Sequence, residues 1–196
     1  MFNSKDTVIT RVFNPLNITK GSMIEFYEGE LKDTGLYRFS LIVECTVQGI
    51  TFSKYIIFSK TDDTEYIFEV FPGNEGSEAE TTLYALMDTI PFAEDFLQVV
   101  GQKFMNTPDG TEYERVTMPN LEDRIEGIAG KARIYNIEAG KVEKEFDFKL
   151  WEYKRDVDGI MELLNVEMSE DDGMFRIFIG EILEDVFYKF YQTSNE

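Results

Sequence analysis

The chain has 196 residues, a length typical of a single domain with its own core. It contains no histidine and one cysteine, which excludes Ser-His-Asp and Cys-His catalysis, His-ligated zinc or haem, and clusters held by several cysteines. The formal net charge is -19, so most of the surface should repel phosphate backbones, and direct nucleic-acid binding is not expected.

No apolar run approaches the roughly 20 residues that a membrane-spanning helix needs, and the first residues lack the apolar stretch of a signal peptide. Cys45 lies in an apolar run and should be a buried, inert thiol, in keeping with a reducing compartment. We therefore expect one cytoplasmic domain over residues 1–196, without a transmembrane segment.

The first well-patterned region runs from residue 23 to residue 71, where apolar and polar residues alternate between short turns. This pattern is typical of an antiparallel meander. The predicted strands cover 36–46, 50–58 and 65–71. Gln48-Gly49 is the predicted turn between the first two strands.

A helical pair is predicted for the segment 77–101. Ser77-Glu78-Ala79-Glu80 has the spacing of a capping box. The apolar residues that follow fall at helical spacing: Leu83, Leu86, Met87 and Ile90. Pro91 suits the first turn of a second helix over 92–100, which Gly101 should end.

A second strand-rich region follows, and its predicted strands cover 112–118, 131–137, 146–153, 162–168 and 175–179. The apolar spacing from Ile179 to Phe190 predicts a C-terminal helix over 181–191. The predicted fold class is therefore α+β, dominated by antiparallel sheet. The regions 23–71 and 112–179 are alike in layout, which suggests two related meanders within the one domain.

Carboxylates are the main catalytic groups that remain, and they keep open a magnesium-dependent hydrolase. Adjacent acidic residues that could hold a hard cation occur at 62–65 and 170–172, but tight turns favour the same residues. Asp156-Val157-Asp158-Gly159 lacks the later ligands of a calcium loop and predicts a hairpin turn. The sequence thus provides no catalytic residue, metal site or cofactor, and enzymatic activity stays an open alternative.

Negative charge is concentrated in residues 61–102, which contain ten acidic side chains and no Lys or Arg. We predict that this region forms an acidic surface for a basic partner protein. The predicted partner-binding residues are Asp62, Asp63, Glu65 and Glu69. An alternative from another class is a nucleic-acid mimic that occupies a DNA-binding protein.

Trp151 and Tyr153 lie two residues apart on one predicted strand. They could form an aromatic binding surface, although a pair within the core is the simpler interpretation.

Several short segments resemble the YjfK-like family of uncharacterised bacterial proteins. They are Pro15-Leu16-Asn17-Ile18-Thr19-Lys20-Gly21, Phe58-Ser59-Lys60-Thr61-Asp62-Asp63, Tyr113-Glu114-Arg115, Tyr153-Lys154-Arg155, Glu162-Leu163-Leu164-Asn165-Val166 and Ile179-Gly180. Members of this family are often encoded beside relatives of phage shock protein A, a membrane-remodelling coat protein. The resemblance therefore implies a non-catalytic accessory role linked to envelope stress, and it implies no functional residues.

Overall fold

The computed structural model describes residues 7–10, 20–27, 35–59, 65–72, 79–116, 126–183 and 188–193. Within these ranges the chain forms thirteen strands and one short helix. The strands are β1 (Thr7–Thr10), β2 (Met23–Phe26), β3 (Gly35–Val47), β4 (Ile50–Ser59), β5 (Glu65–Phe71), β6 (Glu80–Pro91), β7 (Phe104–Asn106), β8 (Glu112–Arg115), β9 (Ile128–Asn136), β10 (Lys141–Val157), β11 (Ile160–Ser169), β12 (Met174–Leu183) and β13 (Tyr188–Thr193). The helix is α1 (Glu94–Val100).

Eight strands close into an antiparallel barrel, in the order β3-β4-β5-β6-β12-β11-β10-β9. The ring is complete because β9 pairs with β10 along one edge and with β3 along the other. The sheet extends beyond the barrel at two places, where β2, β13 and β1 continue from β3 and where β8 and β7 continue from β10. The predicted dominance of antiparallel sheet is confirmed.

Side chains of the barrel strands alternate between its interior and its outer surface, and both sides are buried over much of the sheet. The first outer core lies over β3, β4 and β5 and is covered by β2 and β13; it includes Ile24, Phe26, Tyr37, Phe39, Tyr55, Ile57, Tyr66, Phe68 and Phe190. The second outer core lies over β10, β11 and β12 and is covered by α1, β7 and β8; it includes Val100, Met105, Tyr113, Trp151, Tyr153, Leu164, Val166 and Phe175.

The helical pair predicted at 77–101 is not observed: the described residues of this segment form one short helix, and the first predicted helix is wrong. Residues 80–91 form β6, which pairs with β5 along one edge and with β12 along the other. Residues 81–84, which include two threonines, are buried on both faces, and residues 86–89 are exposed on both, so polarity does not follow the two-residue period of a strand. The apolar spacing matches a helix by coincidence. The second helix does form as α1 and ends at Gly101. The capping serine lies outside the described residues.

The predicted C-terminal helix is not observed in the part of the chain that the structure describes. Residues 181–183 continue β12, and residues 188–193 form β13, which pairs with β1 and β2. Apolar side chains of β12 point to both sides of the sheet, so the sequence shows a nearly continuous apolar run that fits either element. Pairing with neighbouring strands decides in favour of the sheet.

The predicted turns at Gln48-Gly49 and Asp158-Gly159 are confirmed as hairpin turns, with positive φ at all four residues. Two meanders surround these turns, β3-β4-β5 and β10-β11-β12, and their registers correspond. Val47 pairs with Ile50 as Val157 pairs with Ile160, and Lys54 pairs with Glu69 as Leu164 pairs with Ile179. Whether the two meanders arose by duplication stays a prediction.

Candidate functional site

Of the predicted partner-binding residues, the structure describes Glu65 and Glu69, and these two do not share one exposed surface. Glu65 is exposed at the start of β5. Glu69, by contrast, points into the barrel, with 12% of its side chain exposed, and pairs with Lys54. Its inclusion in an outer acidic surface is therefore wrong, because the opposite face of β5 carries the aromatic residues of the first outer core and leaves Glu69 on the inside. Asp62 and Asp63 lie outside the described residues.

Trp151 and Tyr153 do not form a binding surface, because both are fully buried in the second outer core. The Tyr153 hydroxyl donates to the carbonyl oxygen of Val100, which ties β10 to the end of α1. The rings of Trp151 and Phe175 are 6.0 Å apart. The simpler interpretation, a core pair, is the one observed.

The acidic run at 170–172 lies in the turn between β11 and β12, and two of its carboxylates are paired with cations. Asp171 pairs with Lys144, and Asp172 pairs with Arg176, whose hydrogen bond lowers the pKa of that carboxyl. Across the described ranges, no group of three or more Cys, Asp or Glu side chains could hold a metal ion.

Four charged side chains meet inside the barrel: Lys54 on β4, Glu69 on β5, Glu152 on β10 and Glu167 on β11. We call them the interior charge cluster. The Lys54 ammonium lies 3.6 Å from a carboxylate oxygen of Glu69 and forms a short ion pair with Glu167. Since β4 and β11 are not neighbours in the barrel, the pair with Glu167 crosses its interior.

The interior charge cluster is a polar belt between two apolar ends of the barrel. On β4, Lys54 stands between Phe52, which packs with one interior apolar group, and Ile56, which packs with the other. Within the belt, the Asn165 side-chain amide donates to the Tyr84 hydroxyl over 3.0 Å. The belt therefore combines charged and neutral groups in a space that water reaches poorly.

This enclosure changes the acidity of the interior groups. Burial, followed by the negative charge of Glu69, raises the pKa of Glu152 to about 7, although Lys54 opposes the shift. Burial also raises the pKa of Glu69, again against the effect of Lys54. The Cys45 thiol lies in the same interior, and burial raises its pKa to about 11, so the predicted buried thiol is confirmed.

One exposed acidic region in the described part of the chain lies at residues 86–99, which we call the acidic segment. It covers the second half of β6 and most of α1. Its exposed carboxylates are Asp88, Glu94 and Asp95, and its exposed large apolar side chains are Leu86, Met87, Phe92 and Val99. The sequence places no Lys or Arg within it. The same segment therefore exposes both carboxylates and large apolar side chains to solvent.

The acidic segment is attached to the barrel at several points. The Phe92 ring stacks on Phe175 with centroids 5.9 Å apart, and its amide donates to the Gly173 carbonyl. Tyr66 pairs with Ala85 in an antiparallel register, which brings exposed Glu65 to the beginning of the segment. The acidic region predicted over residues 61–102 includes this segment, whereas the residues predicted to bind the partner lie at its earlier end.

A second charged region is a groove of about 370 Å³ on the outer face of β3, β9 and β10. Carboxylates of Glu44, Glu145 and Asp147 line it, but Lys131 and Arg133 of β9 stand in register between them. Arg133 pairs with Glu44 over 2.6 Å. Because positively and negatively charged side chains alternate across these strands, this face is much less negative than the acidic segment.

Comparisons with protein-family models, with curated proteins and with solved structures find no match. The resemblance to the YjfK-like family therefore stays a prediction that rests on the short segments quoted above. Among the helices of the described ranges, none is long and apolar enough to span a membrane.

Proposed function

We propose that the protein is a non-catalytic interaction protein that binds a basic, amphipathic partner protein through the acidic segment. One observation carries this proposal: residues 86–99 expose three carboxylates and four large apolar side chains with no basic residue among them. Glu65 adds a fourth carboxylate at the start of the segment.

The mixture of side chains defines the partner more narrowly than charge alone would. Carboxylates attract a basic protein and speed its encounter, but solvated charges contribute little lasting affinity. Exposed apolar side chains gain affinity when a partner removes them from water. A partner that presents Lys or Arg beside large apolar residues would use both features. The family resemblance suggests a phage-shock-like coat protein as one such partner, with a role in envelope stress.

The alternatives have less support. A magnesium-dependent hydrolase would need free carboxylates, but Asp171 and Asp172 are paired with Lys144 and Arg176. A nucleic-acid mimic would need carboxylates in uninterrupted rows, but β9 inserts cations between the carboxylates of β3 and those of β10.

The test uses a labelled model peptide of leucine and lysine with helical spacing, titrated with the protein and followed by fluorescence anisotropy. The variant Asp88→Asn/Glu94→Gln/Asp95→Asn removes three exposed charges. At roughly 0.5 kcal/mol for each charge, binding should weaken about tenfold. Raising the salt from about 0.05 M to about 0.3 M should weaken the wild type more than this variant, because fewer charges remain to be screened.

A matched control neutralises three exposed carboxylates elsewhere, Glu145→Gln/Asp147→Asn/Glu170→Gln, and should bind the peptide like the wild type. A second variant, Leu86→Ser/Val99→Ser, should weaken binding without changing its salt dependence. Equal losses in the acidic-segment variant and in the control would show attraction to overall charge only, and the proposed surface would then be wrong.

A further inference from the structure

The interior charge cluster contains one ammonium group and three carboxylates. Lys54 pairs with Glu69 and with Glu167, so two carboxylates already share the single ammonium of the cluster. Glu152 projects into the same space from β10, opposite Asn165 of β11. A third negative charge in this enclosed position would be repelled by the other two and poorly solvated.

The surroundings of Glu152 offer no adequate compensation for its charge. The titratable groups that face it from the other interior strands are Lys54 of β4, Glu69 of β5, Glu80 and Tyr84 of β6 and Glu167 of β11. Cys45 of β3 lies in the same interior as a neutral thiol, and Arg176 of β12 is paired with Asp172. On β9, the interior positions near β10 are Ile128, Gly130 and Ala132.

We propose that the barrel interior is a proton-binding site, in which Glu152 is protonated below neutral pH and loses its proton as the pH rises through neutrality, and that this proton stabilises the closed barrel. The protonated carboxyl lowers the charge of the cluster by one and can donate a hydrogen bond within the belt. Loss of the proton leaves three carboxylates around one ammonium. The stability of the barrel thereby becomes sensitive to pH over the physiological range.

The acidity of Glu152 agrees with this proposal. Its pKa in the folded protein is about 7, above the ordinary glutamate value of 4.5. A carboxyl with a raised pKa binds protons more tightly in the folded state than in the unfolded state. The folded state is therefore favoured at low pH, and this contribution is lost as the pH rises toward the folded pKa. Burial raises the pKa of Glu69 as well, which acts in the same direction.

The experiment measures the unfolding equilibrium by urea titration, with the fluorescence of Trp151, the single tryptophan, as the signal. From about pH 6 to about pH 8, the unfolding constant of the wild type should rise about tenfold through Glu152. In Glu152→Gln this tenfold rise should be absent. Glu145→Gln, which changes an exposed carboxylate on the same strand, should keep it.

A second measurement reads the barrel interior directly. Cys45, the single cysteine, should be alkylated in native buffer only when the barrel opens. Comparing variants at one pH cancels the ionisation of the thiol. Between about pH 6 and about pH 8, the ratio of the wild-type rate to the Glu152→Gln rate should rise about tenfold.

If the unfolding constants of the wild type and of Glu152→Gln change by the same factor from about pH 6 to about pH 8, the proposal is overturned. If Glu152→Gln does not fold, the variant Glu69→Gln tests the proposal instead. Loss of the Glu69 charge should move the pH-dependent rise of the wild type to lower pH, since Glu69 is the strongest charged cause of the shift. An unmoved rise would count against a proton held by the cluster.

Discussion

The two meanders have the same register but opposite orientations. β3 and β10 are both antiparallel to β9 and therefore run in the same direction, yet β4 and β5 lead around the barrel one way while β11 and β12 lead the other way. The face of the second meander that matches the interior face of the first therefore lies on the outside of the barrel. Positions that match in register point to opposite sides of the barrel wall.

Two matched positions show the consequence. Lys54 points into the barrel, whereas the matching Leu164 belongs to the second outer core. The aromatic ring of Tyr55 lies in the first outer core, whereas the matching Asn165 lies in the interior belt. The environment of a residue is therefore set by how its meander joins the barrel, and not by its place within the meander.

The largest expected effect comes from Lys54→Leu. This substitution places in the first meander the residue type that the second meander has at the matching position, Leu164. The substitution leaves Glu69 and Glu167 without their cation, and loss of one partner of a buried ion pair costs about 3–5 kcal/mol. Urea unfolding should show this loss through Trp151 fluorescence and Cys45 reactivity alike. The double variant Lys54→Leu/Glu167→Gln should recover part of it. Stability within 1 kcal/mol of the wild type, on the order of a surface substitution, would refute an interior role for Lys54.

A smaller effect is expected at Gly180, whose match in the first meander is Val70. A Cβ atom at Gly180 would overlap Cδ1 of the Tyr84 ring, inside the barrel. Gly180→Ala should therefore destabilise the protein by roughly 2–3 kcal/mol, as overpacked cores do. In the double variant with Tyr84→Leu, the loss should be smaller than the sum of the single losses. Additive losses in urea unfolding would mean that the two side chains do not compete for space.

The strands of both meanders are predictable from the sequence because glycine turns and polar runs separate them. β6, and β12 beyond residue 179, are not predictable as strands because polar and apolar residues do not alternate along them. In β6, residues 81–84 are buried on both faces, whereas residues 86–89 are exposed on both. The closure of the barrel is also hidden, because it depends on β9, which pairs with residues distant in the chain.

The two candidate sites also differ in how far the sequence predicts them. The acidic region can be located from the sequence as a stretch without basic residues, but the buried position of Glu69 cannot. One local signal does exist for the interior charge cluster: Lys54 is the single charged residue in the strand Ile50–Ser59. A lone lysine in an otherwise apolar and hydroxyl-bearing strand suggests a buried cation, and its partners then have to be sought in other strands.

The smallest expected effect distinguishes the two hairpin turns. Gln48 has φ 51 and Asp158 has φ 54, and a glycine follows each of them. Asn and Asp tolerate this left-handed conformation better than Gln does. Gln48→Asn should therefore stabilise the protein by about 0.5 kcal/mol, while Asp158→Gln should destabilise it by a similar amount.

Two controls separate backbone conformation from other causes in these turns. Gln48→Ala changes the side chain without offering a residue that favours positive φ, and it should not stabilise the protein. Asp158→Asn removes the charge but keeps the conformational preference, so it should cost less than Asp158→Gln in urea unfolding. Equal effects of Asn and Ala at position 48 would show that the turn conformation does not limit stability. The first meander would then tolerate its less favourable turn because pairing of β3 with β4 already holds the register that the second meander shares.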